Sequence, residues 1–120
     1  MLWGMTLEEV RKIATKFRDE REWKQFHSPK ELAIQVVLEA TELLELMQWK
    51  NGAELAEQLE KRREDVGDEL ADVLHGIILI ADEMGIDLSQ AFALKMEKNA
   101  RKYPVEKARG SSKKYTEYEK

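Results

Sequence analysis

The sequence predicts an all-α protein, a four-helix-type bundle. Three observations support this prediction. The 120 residues include only 6 glycines and 2 prolines, which leaves little material for turns. Three capping boxes, in which side chains satisfy the free amides of a helix start, divide the chain into amphipathic stretches. Hydrophobic residues make up 42%, too many for a disordered chain, and charged residues make up 37%, too many for a chain fully buried inside an assembly.

The first predicted helix begins after Thr6, which forms a capping box with Glu9. It runs to about Arg21. The next segment, residues 23–27, contains Trp23 and is read as a linker rich in aromatic residues.

The second helix begins at a capping box formed by Ser28 and Glu31, with Pro29 at the first helical position. Proline suits that position because its missing N–H is not needed there. We expect the helix to continue to about Lys50 and to stop at Asn51-Gly52, a pair that accepts positive φ.

A third helical stretch is predicted from about Ala53 to Met84, with a break around residues 61–67, and Gly85 is placed to end it. The last helix opens at a capping box of Asp87 with Gln90 and ends before a proline at position 104. We expect a helical domain over residues 1–104 and an extended, basic tail over residues 105–120.

The composition excludes several classes of function. With a net charge of −4, the chain lacks the basic surface that non-specific nucleic-acid binding requires. Its longest uncharged apolar run, residues 76–81, is far shorter than the ~20 residues that span a bilayer. The absence of cysteine suits a reducing cytoplasm, and residues 1–5 lack a signal-peptide pattern. We therefore expect a cytoplasmic protein without a membrane or nucleic-acid polymer as partner.

Two pairs of acidic residues stand in or beside apolar helix stripes. Glu39 and Glu42 lie three residues apart on the second helix, and Glu69 and Asp72 repeat that spacing on the third. Residues three apart on a helix point the same way, so each pair can reach one ion. Oxygen-rich clusters with few imidazoles and no thiols suit hard cations, Mg²⁺ or Mn²⁺.

An E-x-x-E pair on a helix is more often a solvated face than a metal site. One pair alone would not indicate a metal site. The two pairs together do, because short connections would pack their helices side by side and bring all four carboxylates close to one another. His75 lies beside the apolar stripe of the third helix. We expect it to be a core histidine with its hydrogen bonds satisfied rather than a ligand. A non-catalytic helical interaction module is the alternative that this reading leaves open.

The acidic segments LEATEL (residues 38–43) and DELADV (residues 68–73) resemble the E-x-x-E…E-x-x-D signature of the MazG-like all-α nucleoside triphosphate pyrophosphohydrolases. Within that family, the dCTP pyrophosphatase branch is the most similar. The resemblance covers about residues 6–115. Four further segments carry it: 21–27, 46–49, 95–104 and 109–115. The vertebrate members of that branch differ from this chain near Ala14, where they carry a histidine, and at His75-Gly76, where they carry an aromatic residue.

The resemblance implies a helical bundle assembled as a homodimer or homotetramer, and Mg²⁺-dependent hydrolysis of a nucleoside triphosphate between the α- and β-phosphates. It implies catalytic and metal-binding roles for Glu39, Glu42, Glu69 and Asp72. The segments that enclose the base and sugar match Trp23, Gln25, Phe26, His27 and Trp49, and a K-x-x-x-N element matches Lys95 and Asn99. The expected substrate is dCTP-like, with a broad nucleoside triphosphate pyrophosphatase or a dUTP pyrophosphatase as alternatives.

Overall fold

The computed structural model describes residues 4–118, and these confirm an all-α protein: they contain helices and no strand. Six α-helices and two short 3-10 turns follow one another along this part of the chain. The helices are α1 (Leu7–Glu20), α2 (Pro29–Glu45), α3 (Gly52–Lys61), α4 (Arg63–Glu83), α5 (Leu88–Lys102) and α6 (Val105–Ala108), and the 3-10 turns are Lys24–Phe26 and Tyr115–Glu117.

The three predicted capping boxes all mark helix starts, and within residues 4–118 each forms its N-cap half. In each, a side-chain oxygen accepts a hydrogen bond from the backbone N–H three residues on, which satisfies one free donor of the first turn. The pairs are Thr6 with Glu9 (3.1 Å), Ser28 with Glu31 (3.2 Å) and Asp87 with Gln90 (3.1 Å).

The second helix is shorter than predicted. It ends at Glu45 rather than near Lys50, because the following backbone amides bond three residues back and tighten the chain into turns. Trp49 then reverses the chain with a φ of +69°, a left-handed conformation that is uncommon for a bulky residue. The predicted stop signal has the opposite role, since Asn51 is the N-cap of α3 and Gly52 its first residue.

The break predicted within the third stretch is confirmed as one residue, Arg62, between α3 and α4. Gly85 ends α4 as predicted, with a φ of +63° and a 2.8 Å hydrogen bond from Ile86 N to Ala81 O that closes the helix end. The expectation of an extended tail is wrong in part, because α6 and the second 3-10 turn lie within it. No helix within residues 4–118 is long and apolar enough to cross a bilayer.

The described residues form two compact units, one that ends at Ile86 and one that begins at Asp87. In the first unit, α2 packs along α4, and α1 and α3 also pack on α4. The buried apolar side chains of this unit are few: Ala14, Leu32, Ile78, Leu79 and Ala81. In the second unit, the Tyr103 ring meets the rings of Tyr115 and Tyr118 edge-on.

An ion-pair network ties α1 to α4. Arg18 Nη1 donates to Asp82 Oδ2 at 2.8 Å, and Arg11 Nη1 donates to Asp82 Oδ1 at 2.9 Å. Arg18 Nε also donates to Asp19 Oδ1 at 2.8 Å. The Arg18 side chain is only 5% exposed and that of Asp82 17%, so the pair lies largely out of solvent.

Candidate active site

A close approach of α2 and α4 at Gly76 sets the geometry of the site. A Cβ at position 76 would lie 2.7 Å from Val36 Cγ2, well inside contact distance, so glycine lets the helices cross here without a shift of Val36. Glu39 follows Val36 by one turn of α2, and Asp72 precedes Gly76 by one turn of α4. Since the two helices run antiparallel, the crossing brings these carboxylates to the same level.

Three of the four predicted metal ligands meet there. Glu39, Glu69 and Asp72 each offer a carboxylate oxygen, and these oxygens lie within 4.8 Å of one another. Glu42 lies outside this triangle and is exposed, yet its carboxyl is close enough to raise the pKa of both Glu39 and Glu69. The two acidic pairs therefore form one cluster across the α2–α4 interface.

The cluster is electrostatically unfavourable without a cation. Burial, followed by the neighbouring Glu42, Asp72 and Glu69 carboxyls, raises the pKa of Glu39 to about 7. Burial and Glu42 also raise the pKa of Glu69. Within residues 4–118, the buried Oε2 atoms of Glu39 and Glu69 have no hydrogen-bond partner. An oxygen-preferring divalent cation would satisfy these atoms and offset the repulsion, so the donor set fits Mg²⁺.

A cavity of about 430 Å³ opens beside the cluster. It has a carboxylate end, formed by Glu39 and Asp72, and aromatic walls contributed by α1 and the first 3-10 turn. Its lining residues are Phe17, Arg18, Trp23, Phe26, His27, Glu31, Leu32, Gln35, Glu39, Asp72, His75, Gly76 and Leu79. Its size and mixed lining suit a small organic ligand with a charged end.

The residues predicted to enclose a base divide into two groups. Trp23, Phe26 and His27 line the cavity. Gln25 does not line it, since its side-chain amide donates to Glu22 O at 2.9 Å and remains exposed. Trp49 is 87% exposed and lies outside the cavity.

Lys95 and Asn99 belong to the second unit of the chain. Both lie on α5, where Lys95 is exposed and Asn99 is half-buried. Their predicted role toward sugar or phosphate stays a prediction.

The aromatic wall includes residues that the motifs did not indicate. The Phe17 ring meets Trp23 edge-on at 5.7 Å and His75 edge-on at 6.0 Å between centroids. The expectation that His75 is a satisfied core histidine is wrong, because its buried Nε2 has no hydrogen-bond partner in the described chain. His27 Nδ1 is unpartnered in the same way, and burial, followed by the charge of Arg18, lowers the pKa of His27.

Comparisons with known proteins give one consistent result. The model of the MazG-like family matches residues 34–118. The chain is 42% identical over 114 residues to dCTP pyrophosphatase 1 of Rattus norvegicus and of Homo sapiens, covering 93% of this chain and 67% of each relative. A crystal structure of a pyrophosphatase from Archaeoglobus fulgidus superposes with a TM-score of 0.78 at 41% identity, covering 87% of this chain and 97% of that one.

Proposed function

Because this chain belongs to the MazG-like family and is an enzyme of the nucleotide pyrophosphohydrolase type, we propose that it hydrolyses dCTP-like nucleotides, modified pyrimidines included, to the monophosphate and pyrophosphate with Mg²⁺. One observation carries the proposal: a carboxylate cluster with unpartnered oxygens opens directly into an aromatic cavity. The first feature suits a cation with phosphates, and the second suits a planar base. The expected role is the removal of unwanted nucleotides from the cytoplasmic pool, and the cytoplasmic location stays a prediction from the sequence.

The phosphate end of the site would be organised by Glu39, Glu69 and Asp72, with Glu42 at its margin. A nucleoside triphosphate brings about four negative charges, which bare carboxylates would repel. A divalent ion held by these residues would neutralise that charge and polarise the α-phosphorus toward attack by water. The sequence prediction assigns part of the remaining countercharge to Lys95.

The base end would be enclosed by Trp23 and Phe26, with Phe17 packed edge-on behind Trp23. Stacking of a base on an aromatic ring contributes about 1–3 kcal/mol in nucleic-acid complexes, and every base has a suitable face. Stacking therefore supplies affinity without selecting the base. Selection has to come from polar groups on the cavity wall.

The proposed reaction is tested by resolving the products of a panel of nucleoside triphosphates with and without metal. We expect dCTP with Mg²⁺ to give dCMP and pyrophosphate, and EDTA to abolish turnover until Mg²⁺ or Mn²⁺ is restored. The panel includes dUTP, dTTP and the ribonucleotides, so it separates a dCTP-like preference from a dUTP or broad specificity. Release of inorganic phosphate instead of pyrophosphate, or full turnover in EDTA, would refute the mechanism.

We also propose that a second copy covers the apolar faces left exposed on α2 and α4. On α2, Ile34 is 43% exposed, Val37 64% and Leu38 51%; on α4, Leu70 is 54% exposed. Such rows, repeating every three or four residues, normally pack against another helix. Light scattering at micromolar concentration is expected to show a symmetric dimer or tetramer, and a V37E/L38E variant should be smaller. A monomeric parent protein would contradict the proposal.

Trp49 would reach the cavity from a partner subunit, since it is exposed on its own chain. W23A and W49A are each expected to raise KM more than they lower kcat, because stacking holds ground state and transition state alike. Mixed dimers give a sharper test. A W23A subunit and a W49A subunit together rebuild one intact site if the pocket is shared. Restoration of about half the native low-KM activity is therefore expected in such a mixed dimer. Without restoration, either both tryptophans belong to a site within one chain or neither belongs to the site.

A further inference from the structure

The cavity wall contains one arginine that the proposed chemistry does not yet use. Arg18 is 4% exposed and is the only lysine or arginine lining the cavity, as far as residues 4–118 are described. A guanidinium is rarely buried unless carboxylates pair with it. Here Asp82 and Asp19 do so, each at 2.8 Å.

These two bonds fix the guanidinium and leave part of it free. They occupy Nε and Nη1, whereas Nη2 has no hydrogen-bond partner within the described chain. Nη2 carries two N–H donors and no acceptor, and the group stays protonated at any physiological pH. The cavity therefore has a rigid, donor-only group on its wall.

The spacing of residues along α4 places Arg18 toward the end of the cavity away from the carboxylate cluster. Its partner Asp82 follows Asp72 by ten residues on α4, about 15 Å along the helix axis. His75 and Leu79, which also line the cavity, lie between these two levels. Phosphates held at the cluster would therefore be remote from Arg18, and the base, at the other side of the sugar, would approach it.

We propose that Arg18 determines base preference by donating from Nη2 to the acceptor edge of a cytosine ring. The inference rests on the proposed function, whose substrate it makes specific. Cytosine presents N3 and O2 as adjacent acceptors to a donor-only group. Uracil and thymine present N3–H beside O2, and that hydrogen would face the N–H groups of the arginine. A site that hydrogen-bonds one base in this way rejects another because its buried polar groups are left unpaired.

The same arginine also links α1 to α4, so its structural contribution has to be separated from recognition. Arg11 offers a matched control. It donates to the other oxygen of Asp82 at 2.9 Å but does not line the cavity. R11M therefore weakens the link to Asp82 without removing a donor from the cavity wall.

Equilibrium binding of dCMP and dUMP to the parent protein, R18M, R18K and R11M provides the test, with KM and kcat for dCTP and dUTP measured beside it. The parent protein should bind dCMP more tightly than dUMP. R18M should weaken dCMP binding and raise the KM for dCTP at least about tenfold, which is the scale of one good side-chain-to-base contact. The KM for dUTP and the kcat values for both triphosphates should stay nearly unchanged. R18K, which retains the charge beside Asp82 but lacks the planar fork, should lose most of the preference. R11M should keep it.

Equal weakening of dCMP and dUMP by R18M would overturn the inference, since Arg18 would then contact a shared part of the nucleotide or only support the fold. A parent protein without base preference would overturn it as well. If R18M does not fold, R18K provides the test instead. An unchanged preference of R18K for dCMP over dUMP would refute the proposal. The proposed reaction fails separately, when no triphosphate is converted to monophosphate and pyrophosphate, and the binding measurements still decide the role of Arg18.

Discussion

Replacing Glu39 by glutamine is expected to lower kcat about a thousandfold or more and to stabilise the metal-free protein. The first effect follows because a metal ion contributes several kcal/mol to such a reaction, and each 1.36 kcal/mol corresponds to tenfold in rate. The second follows from the raised pKa of Glu39, about 7, which shows that its charged form is disfavoured in the folded cluster. Glutamine keeps the shape and removes the charge.

The two effects are measured by product formation at saturating dCTP and by thermal unfolding in EDTA at pH 8, where the native carboxyl is mostly charged. E45Q is the matched control, since Glu45 lies on α2 but is exposed and outside the cavity. We expect E45Q to leave both quantities unchanged. A single replacement of Glu42, Glu69 or Asp72 should also reduce turnover strongly. Near-native kcat in E39Q would remove Glu39 from the metal site.

The second large effect concerns stability. D82N is expected to lower the free energy of unfolding by about 3 kcal/mol, a large share of the 5–15 kcal/mol typical of a domain. Asp82 accepts from both Arg18 and Arg11, and without its charge the buried Arg18 guanidinium keeps only Asp19. Breaking one side of a largely buried pair leaves an uncompensated charge, which costs more than a surface pair ever contributes.

The pH dependence of this contribution has a defined sign. The hydrogen bond from Arg18, followed by that from Arg11, lowers the pKa of Asp82 from its ordinary value of 3.8. Its stabilisation is therefore complete above that value and is lost as pH falls through the lower pKa of the folded state. Chemical unfolding between pH 7 and pH 2 should show the parent protein and D82N converging at the acid end. E8Q, which removes a surface partner of Arg11, should follow the parent curve.

Local signals of the sequence predicted most of the helices correctly. Capping boxes act within four residues, so they can be read without knowing the fold, and all three mark helix starts. The end of α2 was predicted wrongly because a glycine after asparagine suits a helix stop as well as the start of the next helix. The helix ends earlier because the chain forms turns at residues 46–49, and no sequence pattern specifies the hydrogen bonds of those turns.

The carboxylate cluster was predictable because each pair lies within one helix turn and short connections bring the helices together. The base end was only partly predictable, since its wall combines residues from α1, the linker, α2 and α4. Arg18 was missed. It occupies the buried row of α1 with Ala14, and a charge in that row is the one available signal. Its partner Asp82, 64 residues away, could not be paired with it from the sequence.

The crossing of α2 over α4 at Gly76 has a consequence for ionic radius. Mg²⁺ takes oxygens at about 2.0–2.1 Å and tolerates little distortion, whereas Ca²⁺ takes more of them at about 2.3–2.6 Å. Glu39 and Asp72 each lie one turn from this crossing, so the distance between the backbones would influence which ion their oxygens fit. A methyl group at position 76 would lie 2.7 Å from Val36 Cγ2, so either the Val36 side chain or the spacing of the two helices would have to change. The size of a cation held by these carboxylates would thus depend in part on a residue that binds none.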